Sequence, residues 1–570
     1  MLDLVIRNGE LVDGTGAARR RADVGVSGGR IVEIGAVADR GRREIDAEGR
    51  IVAPGFVDVH THFDAQVFWD PTLSPSPLHG VTTVMAGNCG FTIAPLAPSQ
   101  AGFLKSMLAR VEGMPIESLD AGVPWDWTST AEYLERIDGS LAVNAGFMVG
   151  HSALRRVVMG EAGSERVATE DEVAAMCAML GDGLAAGAVG FSTSRSRTHN
   201  DASGEPVPSR VAHPDELIAL AAVCRQFPGT SLEYIPDAAP VLSDEDVDLM
   251  ARMSAAAERP LNWNLLLVRV GNEDEVAGKL ASADYAASRR GRVVPLTMPV
   301  NIPVRFSFAT GAILDMIPGW EHAMALPVKE KLALLRNRDE RAHLERLAAA
   351  SAGRVGVANW ADKAILETQN PELRRFEGRM LTDIAAETGG SEFDALCDIV
   401  CQDELRTLFS RAAGPETAGD WKARVEVWRD GRAVIGASDA GAHLDLLATF
   451  NYTTLLLEHA VREHQALPLE EAVHYLTQVP ADLYGLSDRG RVAVGARADV
   501  IVLDEATVGS DPISMRYDLP ASAGRLYADA HGIDHVVVNG EEIVSGGSFT
   551  EARPGGILRS GRDTTTPAMA

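Results

Sequence analysis

The sequence predicts an α/β fold: a closed barrel of parallel strands wrapped by helices, with a small β domain assembled from the two ends of the chain. Three observations carry this expectation. Through the middle of the chain, apolar strand-like runs alternate with amphipathic helical ones, the pattern of a parallel sheet covered by helices. There are eight such runs, enough to close a ring. The first fifty residues and a stretch near the other end share a different style, short β-like runs punctuated by turn residues.

At the start, LDLVIRNGELVDG, ADVGVSGGRIVEIG and REIDAEGRIVAPG carry Asn-Gly and Gly-Gly at the expected hairpins, which predicts a small antiparallel sheet. Near the end, GRVAVGARADVIVLD and IDHVVVNGEEIVSGG repeat the style, so the two ends are expected to join. The eight central strands are GFVDVHTH, TTVMAGN, NAGFMVGH, AVGFSTS, SLEYI, LNWNLLL, VVPLTMPV and AVIGASDAGA. Between the seventh and eighth lie about 130 residues, too many for a plain loop, so this insertion must hold structure of its own. Within it EKLALLRNRDERAHLERLAAASAG predicts one charged amphipathic helix, and SFATGAILDMIPGW an irregular segment near the mouth. An insertion so placed could fold over the site as a lid. The expected boundaries are 1–54 and 481–550 for the β domain, 55–480 for the barrel with its insertion at 301–430, and 551–570 for a loose Gly/Arg/Thr-rich tail.

A formal charge of −27 argues against a surface that neutralises nucleic-acid phosphates or anionic lipid. The five cysteines, Cys89, Cys177, Cys224, Cys397 and Cys401, are too few and scattered for a disulfide framework. Cys397 and Cys401, four apart, are expected on one helix face in the core. No secretory signal is visible in MLDLVIRNGELVDG, and no stretch reaches the ~18 apolar residues of a membrane span. The expectation is a cytoplasmic protein with a small-molecule substrate and neither nucleic-acid nor membrane partner; a homo-oligomer is left open.

The strongest chemical signal is VDVHTHFDAQ, a buried-looking strand ending in His60 and His62. Because strand side chains alternate with period two, both imidazoles share a side and make a natural half-site for zinc, the alternative being histidines merely hydrogen-bonded at a strand end. Barrel folds place their catalytic groups at this end of the strands. Cys89, in the glycine-bearing turn MAGNCGF after the second strand, could ligate metal as a thiolate, or could simply be a small packed residue. Asp439, in GASDAGAHL after the eighth, could bind metal and take a proton from its water, or could cap a helix. His443 lies nearby.

Taken in order, LVIRNGELVDGTG, IVAPGFVDVHTHFDAQ, GNCGF, VGHSALR, GFSTS, SDAGAH and TQVPADLYGLSDRGRVAVGARADVIVLD resemble the amidohydrolase superfamily, and within it the N-acyl-D-amino-acid deacylase (D-aminoacylase) branch. The Cys-bearing turn points to that branch. The resemblance implies a (β/α)8 barrel flanked by a β-sandwich from both chain ends, with zinc activating water for attack on an amide. Carried over by position, His60, His62 and Cys89 become metal ligands and Asp439 both ligand and general base.

The branch also supplies a histidine from the fifth strand and another from the sixth. Here those strands read SLEYIPD and LNWNLLL and hold none. Glu233 is the candidate replacement ligand, unless a shift of one residue puts Tyr234 in its place. Asn262 and Asn264 suit hydrogen-bonding a substrate better than binding zinc. The basic residue that follows the sixth-strand histidine and grips a substrate carboxylate is missing too, so Arg155, Arg195, Arg197 and Arg305 are candidates for an anionic group. His151 is expected to be structural, and His199 to reach the substrate from a loop.

These readings predict a hydrolase of a linear amide, with one zinc ion rather than two, or another divalent metal in its place. The alternatives are cyclic amide or lactone opening, or a lyase or isomerase step, at the same site. A further alternative is a catalytically silent ligand-binding protein or subunit.

Overall fold

The computed structural model describes residues 1–569 apart from 238, 302–303, 312, 353–355 and 412–415. Its centre is a series of eight parallel strands. In chain order they are Phe56–Asp58, Val81–Ala86, Asn144–Gly150, Gly190–Ser194, Ser231–Ile235, Leu261–Leu266, Val293–Thr297 and Val434–Ile435. Each pairs in parallel with the next. The third is split at Met148: Asn144–Phe147 pairs with the second strand, and Val149–Gly150 with the fourth. A parallel bridge from Thr61 to Ala440 joins the two ends of the series.

Side-chain alternation explains what each strand offers. In the fifth strand Leu232 and Tyr234 belong to the apolar layer beneath the helices, where Leu261 and Trp263 of the sixth join them. Glu233 and Asn262 are paired in register on the opposite face. Several helices between strands start on side-chain caps, as at Thr169, where a capping box with Glu172 opens the helix Glu170–Ala185.

The chain ends form two packed sheets. One holds Leu2–Arg7, Asp23–Ser27, Arg30–Gly35 and Gly41–Asp46; the other combines Glu10–Leu11, Arg20–Arg21 and Ile51–Pro54 with Val500–Leu503, Ile533–Val538, Glu541–Ser545 and Ser548–Phe549. Leu4, Ile6, Val24, Val52, Val500 and Val537 fill the space between them. The expected antiparallel sheet is mixed, because Leu2–Arg7 pairs in parallel with Gly41–Asp46. Asn8-Gly9 makes no hairpin; it carries the chain from one sheet to the other, whereas Gly28-Gly29 and Asn539-Gly540 do close hairpins.

Two further expectations are corrected. The single charged helix of the insertion is two, Val328–Arg336 and Arg338–Ser351. Asn337 interrupts them, since its side chain accepts the Asp339 and Glu340 amides and restarts the helix. The tail is not loose: Ile557–Leu558 forms a strand parallel to Ala145 and Gly146 of the third strand, and the Thr565 amide donates to the Gly485 carbonyl. The insertion has a core of its own around Phe306, Phe308, Trp320, Trp360, Phe393 and Phe409. It rests on the segment after Asp439, through Arg305 N–H to the Leu446 carbonyl and the Thr310 hydroxyl to Asp445. Cys397 and Cys401 are both buried in the helix Glu392–Gln402. Among the described residues no helix is long and apolar enough to cross a membrane.

Candidate metal centre

His60 and His62 follow the first strand and lie wholly buried. The second strand runs into the turn of Cys89, which reaches them because Gly87, Cys89 and Gly90 all take positive φ and fold the backbone sharply. Gly87 could hold no side chain: a Cβ there would meet the Met148 carbonyl oxygen at 2.7 Å. The Cys89 sulfur stands 3.5 Å from His60 Nε2 and 3.7 Å from His62 Nε2. Asp439 arrives from beyond the eighth strand, also at positive φ, with Oδ1 at 3.1 Å from His60 Nε2 and 3.6 Å from His62 Nε2.

These donors fit a metal. Two imidazole nitrogens and one sulfur, all buried, lie within 4.8 Å of one another. The observed nitrogen–sulfur separations match the edge, about 3.6 Å, of a tetrahedron built on bonds of about 2.1 and 2.3 Å. The donor set is borderline-soft, as zinc prefers. Asp439 adds a carboxylate beside both imidazoles.

The electrostatics follow from burial around opposed charges. Burial alone would raise the Asp439 carboxyl, but hydrogen bonds from His60 and His62 outweigh it and hold the group well below the usual carboxylate range. Burial lowers His60. His62 would be lowered too, yet Glu112 and Asp439 push it up to about 9. Burial, followed by the negative Glu233, Glu112 and Asp439, raises the Cys89 thiol. Asp58 and Asp64, both enclosed below the histidines, are pushed up by burial to about 7.

Glu112 is a buried carboxylate the sequence reading did not single out. It ends the helix Ala101–Val111, places Oε1 3.4 Å from His62 Nδ1, and accepts the His443 amide on its carbonyl. Its local sequence, RVEGMP, reads as an ordinary helix end, so no signal marked it.

Glu233, not Tyr234, faces this group. Its Oε2 accepts the Cys89 amide at 2.9 Å, while Tyr234 points to the helices and donates to Asp246. Asn262 is buried, its amide donating to the Leu232 carbonyl and the Tyr484 hydroxyl and its Oδ1 unpartnered among the described residues. Asn264 is half-buried on the same strand, with its Oδ1 unpartnered among the described residues. His199 donates to or accepts from the Ser194 hydroxyl at 2.7 Å, and burial with the nearby His443 and His62 lowers it to about 3.

Of the arginines proposed for an anion, three are engaged elsewhere. Arg155 is buried in a pair with Glu216, which also binds His151, so both are structural. Arg195 turns outward to Glu245, and Arg197 is exposed beside Asp237. Each had a carboxylate partner on a neighbouring helix or loop that spacing along the chain does not show. Arg305 is different: it is half-buried, and its buried Nη1 has no hydrogen-bond partner among the described residues.

Comparison with known proteins follows the same geography. The profile described as "Amidohydrolase family" matches residues 43–544. The chain is 29% identical to a D-aminoacylase of Alcaligenes xylosoxydans xylosoxydans, covering 98% of this chain and 97% of that one. It is 31% identical to an N-acyl-D-glutamate deacylase of the same organism, covering 98% and 96%. A solved N-acyl-D-glutamate deacylase from Bordetella bronchiseptica, complexed with zinc and a phosphonate mimic of the tetrahedral intermediate, superposes with a TM-score of 0.64 at 26% identity, over 98% of this chain and all of that one.

Proposed function

The chain belongs to the amidohydrolase family, in its D-aminoacylase branch, and is a hydrolase of carbon–nitrogen bonds other than peptide bonds; from that premise we propose that it removes the acyl group from an N-acyl amino acid at a single zinc ion. The observation that carries this reading is the convergence of the buried His60, His62 and Cys89 with the partly exposed Asp439 at the end of the parallel strands. We take the series of strands to be a closed (β/α)8 barrel over residues 55–480, with 1–54 and 481–550 as its β-sandwich, and assign the protein to the cytoplasm.

In this reading His60, His62 and Cys89 hold the ion, with Asp439 as its fourth neighbour. A divalent metal there supplies Lewis acidity, lowering the pKa of a water and polarising the amide carbonyl. Asp439, kept ionised by the imidazoles, is the base that takes the water's proton and hands it to the leaving nitrogen. Glu112 holds His62 from behind. Arg305 is the group for the substrate carboxylate, since a buried guanidinium nitrogen without a partner is costly until an anion meets it. His199, kept neutral by burial, is a hydrogen-bonding group for the same substrate. One ion is preferred to two because strands five and six offer no histidine: Glu233 already accepts the Cys89 amide on Oε2, and Asn262, its amide donated to Leu232 and Tyr484, has only a neutral carbonyl oxygen left, a poor zinc donor.

The test is metal analysis of protein purified without chelator, followed by amine release from a panel of N-acyl D- and L-amino acids. The expected result is about one equivalent of divalent metal and turnover restored by zinc after chelation. Less than about a tenth of an equivalent, with no gain on adding zinc, would overturn the metal site. Inactivity across the panel with metal bound would overturn the substrate class.

A further inference from the structure

We propose that Glu233 is a positioning residue: it fixes the turn that presents the Cys89 thiol and does not itself coordinate the metal. The inference rests on the preceding reading of Cys89 as a metal ligand. Three observations lead to it.

First, the turn needs holding. Cys89 adopts φ +57, a left-handed conformation that a residue with a Cβ enters at a cost, between two glycines that are also left-handed. Such a backbone persists only where its surroundings over-determine it. Second, two strand side chains do so. Glu233 Oε2 accepts the Cys89 amide at 2.9 Å, and Ser192 of the fourth strand bridges the turn, its hydroxyl donating to the Gly87 carbonyl and accepting the Gly90 amide. The amides and carbonyl of the turn are thereby tied to strands four and five, which sets where the sulfur can stand.

Third, the free oxygen of Glu233 is not among the gathered donors. Oε1 lies 4.0 Å from His60 Nδ1, the nitrogen on the far side of the ring from the Nε2 that faces Cys89 and Asp439. The mutually close donor atoms are those of His60, His62 and Cys89; Asp439 joins them with Oδ1 3.1 and 3.6 Å from the two Nε2 atoms, whereas the nearest imidazole nitrogen to the free Glu233 oxygen is the Nδ1 of His60. A carboxylate that spends one oxygen on a backbone amide, and aims the other behind the histidine, is placed to orient a ligand.

A ligand and a positioning residue respond differently to the amide. Glutamine can still accept the Cys89 N–H through its side-chain oxygen, but it is a poor zinc donor; alanine can do neither. The test uses cobalt(II) as the probe, read by sulfur-to-cobalt charge-transfer absorption and by chelator competition, with the fold checked by circular dichroism. In Glu233→Gln the sulfur band stays and affinity remains within about threefold of wild type, whereas Glu233→Ala weakens the band and lowers affinity roughly 10- to 100-fold, the usual span for losing a group that orients a ligand. Ser192→Ala, which removes the second tie, lowers affinity by a smaller factor in the same direction.

If Glu233→Gln loses cobalt as fully as Glu233→Ala, Glu233 is a ligand and the proposal is wrong. Wild-type band and affinity in a folded Glu233→Ala would overturn it as well. Should Glu233→Ala fail to fold, the glutamine variant decides alone: retention supports the proposal and loss overturns it. Failure of the wild-type protein to bind cobalt is a separate result, which removes the metal site and this inference with it.

Discussion

The two sides of the strand series differ at the level where its chemistry would sit. Strands one, two and eight deliver His60, His62, Cys89 and Asp439, four groups whose polar atoms point at one another. Strands five and six deliver Glu233 and Asn262, each engaged by the protein through one atom, Glu233 Oε2 with the Cys89 amide and Asn262 Nδ2 with the Leu232 carbonyl and the Tyr484 hydroxyl, and each left with one oxygen unpartnered among the described residues. The difference teaches that a buried polar residue on a strand face is not evidence of chemistry. What separates the sides is whether polar atoms gather on one another or are engaged singly by backbone groups and neighbouring side chains.

This contrast can be broken by substitution. The largest effect is expected on the first side: Asp439→Asn, assayed with zinc in excess, should reduce kcat by roughly 10²- to 10⁴-fold, the contribution of a positioned base, with a thermal midpoint close to wild type. Near-normal turnover would show that the base lies elsewhere, Glu112 being the next buried carboxylate along the cluster. An intermediate effect is expected between the sides. Arg305→Ala should raise KM for an N-acyl amino acid roughly 10- to 100-fold while kcat changes little, as for loss of a charge-assisted hydrogen bond made equally in ground and transition states. An unchanged KM would return Arg305 to a structural role. The smallest effect belongs to the second side. Asn262→Ala should lower unfolding free energy by about 1–3 kcal/mol, because the Leu232 carbonyl loses its side-chain donor, and should leave metal content alone. Metal loss in that variant would erase the distinction between the sides.

How much of this was legible depended on whether the signal was local. His60 and His62 could be read because period-two alternation at a strand end puts both rings together without any other residue. Cys89 and Asp439 were visible as strand-end turns, though the turns themselves required positive φ at residues that are not glycine, which sequence does not announce. Glu233 was placed on the correct strand, but its partner is an amide 144 residues away, so ligand and positioner could not be told apart. Glu112 was missed for the same reason: nothing near it in the chain marks a helix end that packs behind His62. Arg195 and Arg197 looked available only because their carboxylates, Glu245 and Asp237, come from a later helix and loop. At Asn8-Gly9 the turn residues were right and the partner wrong, since the strand after the turn belongs to the other sheet.

The strand at Ile557–Leu558 bears on how the protein is made. It pairs with the third strand, and the Gly556 amide donates to Asn144 across a separation of 412 residues. At a synthesis rate of about 5–20 residues per second, the third strand waits roughly 20–80 s for that neighbour to leave the ribosome. Throughout the wait, the lower edge of Asn144–Phe147 presents open amides and carbonyls, the kind of surface that recruits other chains. A truncated product ending before residue 557 would therefore carry His60, His62, Cys89 and Asp439 intact and still aggregate more readily during expression than the full chain.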